Sequence, residues 1–208
     1  MAEFTFYTVA MSRGQISRWA LHEAGADYEH VVFDWATRPE ILKSFNPMNK
    51  VPTLVHHHGA HDHVVTEAAA INHYLAETHP QAGLLPDAHE RAAYFRWLFF
   101  AAGPLEQAVV AKAMGWEVPE GRTGMAGFGS LELALDAIEE WLKNNDYAAG
   151  NRFTMADTYV GSQFVWGLRF GSIPERPAFK AYVERITQRP AYAAANAIDA
   201  AIIKGAEG

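Results

Sequence analysis

Through residue 78 the hydrophobic positions alternate between a strand period and a helix period. Glu3–Ala10 is rich in Phe, Thr, Tyr and Val and reads as a strand. Gln15–Ala24 places Ile16, Trp19, Ala20 and Glu23 at helical spacing, and Gly25 supplies a stop. Tyr28–Phe33 is a second strand, and Pro39–Phe45 a short helix whose proline sits in the first turn, where a missing N–H costs nothing. Thr53–Val55 and His63–Val65 are two strands around a turn at Gly59, and Glu67–Thr78 is a helix. The order βαβ, short helix, hairpin, helix needs one parallel and one antiparallel connection. It predicts a mixed four-stranded sheet with helices on its faces.

A break follows at His79-Pro80-Gln81-Ala82-Gly83 and continues through Pro86. Beyond it every apolar pattern is helical. Asp87 and Glu90 have the spacing of a capping box. The next helix carries Phe95, Leu98, Phe99, Ala102 and Leu105 on its expected face, and Pro104 predicts a kink. The stretch from Gly115 to Gly129 reads as a long glycine-rich loop. Leu131, Leu135, Ile138 and Leu142 mark an amphipathic helix. Thr154 and Asp157 form a second capping box before a largely apolar helix, and two more helices end the chain at 177–188 and 191–203. The fold class is therefore an α/β domain over 1–80 followed by an all-α domain over 86–208.

With 208 residues, half of them hydrophobic, the chain is large enough for a packed core. A net charge of −7 argues against nucleic acid and against an anionic membrane surface. No run is long and apolar enough to span a bilayer, and the first residues do not read as a signal peptide, so the expected location is cytoplasmic. There is no cysteine, which removes disulfides, thiolate metal sites and any enzyme-borne thiol nucleophile. Any thiol chemistry must use a sulfur brought by the substrate.

Two features around the hairpin carry candidate chemistry. Pro52 has no N–H for a ladder and so belongs at a strand start; a cis Val51–Pro52 bond would turn the Val51 backbone outward. Thr66-Glu67 ends a strand and starts an alanine-rich helix, whose free N–H groups suit a carboxylate. Joined by one hairpin, they make a peptide-binding corner.

These residues also carry a resemblance. Asn46-Pro47-Met48-Asn49-Lys50-Val51-Pro52-Thr53-Leu54, then Glu67-Ala68-Ala69-Ala70-Ile71-Asn72-His73-Tyr74-Leu75, then Phe153-Thr154-Met155-Ala156-Asp157 and Arg189-Pro190-Ala191-Tyr192 resemble the cytosolic glutathione S-transferases over essentially the whole chain. The resemblance implies a thioredoxin-like N-terminal domain, a helical C-terminal domain, a homodimer, and glutathione as cosubstrate for attack on a small electrophilic substrate. It implies that Val51, before Pro52, pairs its backbone with the cysteinyl residue of glutathione. It further implies that Glu67 accepts from the γ-glutamyl ammonium, that the Ala68 N–H holds the γ-glutamyl carboxylate, and that Lys50 reaches the glycyl carboxylate. Ala68 stands where the family has serine, which removes one hydrogen bond, about 1 kcal/mol.

The family activates the glutathione thiol with a Tyr, Ser or Cys near the end of the first strand. Counting forward from Tyr7 gives Ser12; counting back from Gly25 gives Arg13 or Met11. Ser12 is the first candidate, Arg13 an electrostatic aid, and Tyr7 the second candidate. The plainer readings are a loop serine, a surface cation and a core strand residue. With no cysteine, the serine or tyrosine type is expected, for conjugation, peroxide reduction or isomerisation. The alternative class is a non-catalytic transferase-like binding or regulatory protein. His56, His57, His58, His61 and His63 read as a solvated turn, and no metal is expected. Trp116, Trp166, Phe170, Phe99 and Met125 are either core or the lining of an apolar acceptor pocket.

Overall fold

β1 (Phe4–Thr8) is buried along its whole length because it is paired on both sides. It runs parallel to β2 (Tyr28–Val32), with Phe4 opposite Tyr28 and Thr8 opposite Val32. It runs antiparallel to β3 (Thr53–His58), with Tyr7 opposite Thr53. β4 (His61–Thr66) completes the sheet in the order β2-β1-β3-β4, giving the mixed four-stranded sheet that the sequence predicts. These descriptions come from a computed structural model that describes residues 2–206. α1 (Gly14–Ala24) buries Ile16, Trp19, Ala20 and Leu21 and stops at Gly25, whose φ of 68° lets its N–H reach back to His22. α2 is Ile41–Phe45 and α3 is Ala68–Thr78.

The hairpin differs from expectation. The histidines are not a turn: His56 faces His63, His57 faces Asp62 and His58 faces His61 in a continued ladder, and the turn is only Gly59-Ala60. Gly59, at φ 65°, supplies the backbone reversal, so no neighbouring residue has to. His56 is buried, not solvated, and its Nδ1 lies 2.8 Å from the Tyr74 hydroxyl.

The chain forms two compact units: residues up to 85 together with those from 188 onward, and residues 86–187. The first unit is closed by the last helix, α9 (Pro190–Ala206), which packs on α1. Arg189 donates twice to the Glu23 carboxylate, at 2.6 Å each, and Tyr192 meets Trp19 edge to face. Arg18, with no exposed surface, donates from Nε to Asp199 at 2.9 Å and lies over the Phe6 ring. Its Nη1 donates to the Tyr28 hydroxyl and to His30 Nδ1. A buried cation therefore ties strand, helix and chain end together.

The second unit is helical: α4 (Arg91–Phe100), α5 (Glu106–Ala113), α6 (Leu131–Asn144), α7 (Met155–Phe170) and α8 (Pro177–Thr187). The kink predicted at Pro104 takes the form of a π-helical turn, Ala101–Leu105, linking α4 to α5. The wider turn accommodates a residue with no N–H. The buried face of α4 and the turn after it is Tyr94, Trp97, Leu98, Ala101 and Leu105; Leu98 and Leu105 are buried as expected, but Tyr94, Trp97 and Ala101 take the places expected for Phe95, Phe99 and Ala102. Phe99 is 66% exposed and stacks on Phe95. Both capping boxes form. Asp87 Oδ1 accepts from the Glu90 N–H, and Glu90 Oε2 accepts from the Asp87 N–H. Asp157 is buried and accepts from the Thr154 N–H and hydroxyl, the Ala148 N–H and the Tyr182 hydroxyl. No helix among the described residues is long and apolar enough to cross a membrane.

Removing one member of a buried ion pair strands the other. Asp199→Ala should cost about 3–5 kcal/mol in urea unfolding, and the apolar pair Arg18→Met with Asp199→Leu should recover most of it. An Asp199→Ala midpoint equal to wild type would mean that α9 is not held this way.

Candidate functional site

Thr53 and Thr66 are the last facing pair of the β3–β4 ladder. Whatever precedes Thr53 therefore lies beside whatever follows Thr66. Before Thr53 stands the Val51–Pro52 peptide, which is cis. After Thr66 stands Glu67 with φ 68° and ψ 116°, a conformation rare for a residue with a Cβ. The first α3 amide bonded back to the chain is Ile71, to the Glu67 carbonyl at 2.9 Å. The N–H groups of Ala68, Ala69 and Ala70 thus have no partner inside the helix and sit at its positive end. The Glu67 side chain is exposed and Ala68 is buried.

The segment leading into Pro52 is held from within by Asn46, which is buried. Its Nδ2 donates to the Lys50 carbonyl (3.0 Å) and to Thr53 Oγ1 (3.3 Å). Its Oδ1 accepts from the Met48 N–H, and its carbonyl accepts from the Asn49 N–H. Thr53 Oγ1 also donates to the Lys50 carbonyl. The loop is tied by hydrogen bonds where it bends, while Lys50 is exposed and Val51 half buried. Among the described residues the Val51 main chain has no hydrogen-bond partner.

The strand-end candidates fall in different environments. Tyr7 packs in the core with Leu42 and Val55, its ring 5.5 Å from Phe45. Burial pushes its phenol above the usual range, with Glu29 adding to the effect. Ser12 lies half buried in the loop before α1. Its hydroxyl donates to the Val9 carbonyl at 2.6 Å and accepts from the Gly14 N–H at 3.0 Å. Gly14 is required: a Cβ there would overlap the buried Thr8 side chain. Arg13 is exposed at the start of α1.

Residues 2–77 match the family model of the glutathione S-transferase N-terminal domain, and residues 121–190 match that of its C-terminal domain. The chain belongs to the glutathione S-transferase family. It is 30% identical to glutathione S-transferase 3 of Zea mays, over 92% of each chain. It is 32% identical to a probable maleylacetoacetate isomerase of Caenorhabditis elegans, over 86% of each. A sphingomonad glutathione S-transferase solved in complex with glutathione superposes with a TM-score of 0.74 at 27% identity, covering 94% of this chain and 98% of that one.

For a glutathione S-transferase, the fold brings Val51, Pro52, Glu67 and Ala68 to one corner, with Lys50 at its rim. The sequence reading assigned no role to Asn46 or Thr53, although both lie in the quoted motif. The signal was available: a short polar side chain four residues before a Lys-x-Pro bend is suited to tie a turn. The apolar candidates separate. Trp116 lines a cavity of about 380 Å³ in the second unit with Val110, Val118 and Phe128. Phe99, Phe170 and Met125 are exposed and so are not core, and none of the three lines that cavity.

Behind β3, Glu3 lies 3.5 Å from His56 Nε2 and 3.3 Å from His79 Nε2, and both histidines are buried. Among the described residues no three acidic or histidine side chains are disposed to hold a metal ion. Burial lowers the His56 pKa; Glu3 opposes this, while His58, His63 and His79 add to it. A histidine whose folded pKa lies below its unfolded value of about 6.5 contributes stability above that pH and loses it as the pH falls. The urea midpoint should therefore drop between about pH 7.5 and about pH 5.5, and less so in His56→Gln. An equal drop in the variant would remove His56 from this account.

Proposed function

We propose that the protein is a glutathione transferase whose tripeptide site is the corner formed by Val51-Pro52 and Glu67-Ala68. The supporting observation is that an unpartnered Val51 main chain and the free amides of α3 are set side by side by one ladder register. Glutathione pairs its cysteinyl main chain with the free Val51 main chain just ahead of β3, in the manner of an added strand. Its γ-glutamyl carboxylate takes the Ala68 and Ala69 N–H groups, its ammonium meets Glu67, and Lys50 faces the glycyl end.

A free thiol titrates near ~8.5 and is largely protonated at neutral pH. Ser12 supplies the hydrogen bond that favours the thiolate. Its proton rests on the Val9 carbonyl, and an arriving sulfur anion is the stronger acceptor for it. The Gly14 N–H holds the oxygen in place during that exchange. The thiolate then attacks the electrophilic carbon, the sulfur–carbon bond forms, and the leaving group departs with its electron pair. The core packing of Tyr7 favours Ser12 over it. The electrophile is a small electrophilic or hydrophobic molecule. The enzyme acts as a cytoplasmic homodimer, and exposed Phe99 on α4, stacked on the half-buried Phe95, is apolar surface that a second copy would cover.

The wild-type protein should be retained on glutathione-agarose and should conjugate an activated aryl halide. Ser12→Ala should lower kcat/KM about 10- to 100-fold and move the appearance of thiolate absorbance towards pH ~8.5. Tyr7→Phe should stay close to wild type. The reverse pattern would assign the thiol to Tyr7, and clean flow-through from the column would favour a non-catalytic protein.

A further inference from the structure

Asn46 braces the bend before Pro52 from inside the fold. A second brace reaches it from the segment before α2. Arg38 Nη1 donates to the Asn49 carbonyl at 2.9 Å. Asn49 has φ 51°, a left-handed turn residue, and the two residues after it are Lys50 and Val51. The direction of the Asn49 carbonyl fixes the peptide that enters Lys50, and so fixes how Lys50 and the Val51 main chain are presented.

Arg38 is itself held in place. Its guanidinium lies 4.8 Å from the centre of the half-exposed Trp35 ring. The backbone between them is ordered by Asp34, whose Oδ1 accepts from the Ala36 and Thr37 N–H groups at 2.7 Å each. Two more atoms mark this junction as unusual: Arg38 Nε and Asn49 Oδ1 are buried and have no partner. One is a donor and the other an acceptor.

We propose that Arg38 is a positioning residue for the tripeptide site, acting through the Asn49 carbonyl on Lys50 and Val51. The inference rests on the reading of that corner as the glutathione site. Arg38 does not touch the thiol and has no part in activating it. Its loss therefore weakens binding of glutathione and leaves the turnover of bound glutathione alone.

The test is Arg38→Met, assayed with glutathione and with γ-glutamylcysteine, which lacks the glycyl residue. The expected result is a rise in KM of about tenfold for both thiols, the size of one lost charge-assisted hydrogen bond, with kcat at saturation and the urea midpoint near wild type. A KM equal to wild type for both would overturn the proposal. A rise confined to glutathione would also overturn it, because Arg38 would then be binding the glycyl carboxylate directly. A fall in kcat, or a lowered urea midpoint accompanying the loss, would overturn it in favour of a catalytic or merely structural role. If wild type bound neither thiol, it would be the glutathione reading that fails, and the two failures stay distinct.

Discussion

Thr53 faces Thr66, and the corner of Val51-Pro52 and Glu67-Ala68, the proposed tripeptide site, depends on that pairing. The residues before one and after the other have little reason to meet otherwise, since they are separated by a whole hairpin. A slip of one residue would turn every β3 side chain to the opposite face and move Pro52 away from Glu67. Several contacts resist such a slip. Leu54 and Val55 are buried, His56 is anchored to Tyr74, and Thr53 is tied to Asn46 and Lys50. The hairpin register is therefore fixed by burial and by side-chain hydrogen bonds at the end nearest this corner, and by Gly59 at the other.

The rest of the first unit supports this arrangement with buried polar groups that are mostly satisfied. Asn46 spends both ends of its amide on the bend. Ser17 on α1 donates to the buried Asn72 of α3, which ties α3 to the helix that follows Ser12. Arg18 and Asp199 close the unit from the chain end. Such groups cost desolvation, and their return is a single defined geometry rather than net stability. That suits the proposed site, whose chemistry would be positioning with the Ser12 hydroxyl as the proposed activator.

Much of this was legible in the sequence. Periodicity located the sheet strands and α1, and Gly25, Gly59 and the two capping boxes marked real boundaries. The corner was legible because its two halves each carry a local signal, a proline at a strand start and a strand-to-helix step. The histidine run misled because composition suggests a turn. Cross-strand pairing and burial under Tyr74 decide otherwise, and these are non-local. Part of the α4 stripe was misread because both Leu98 and Leu105 fit either face; Trp97 and Tyr94 are the side chains that go inside. The docking of α9 on α1 depends on a charge pair 181 residues apart, Arg18 with Asp199, which no window along the chain can reveal. Arg38 was invisible for the same reason: its partner is a carbonyl, and carbonyls carry no sequence signal.

The account stands or falls on where the tripeptide sits. Amide chemical shifts followed during a glutathione titration address this directly. The account predicts that the largest changes fall on the Val51 and Ala68 amides, with Ala69 and Lys50 following and the amides of α6 and α8 nearly still. Saturable changes elsewhere, with Val51 and Ala68 unmoved, would contradict it.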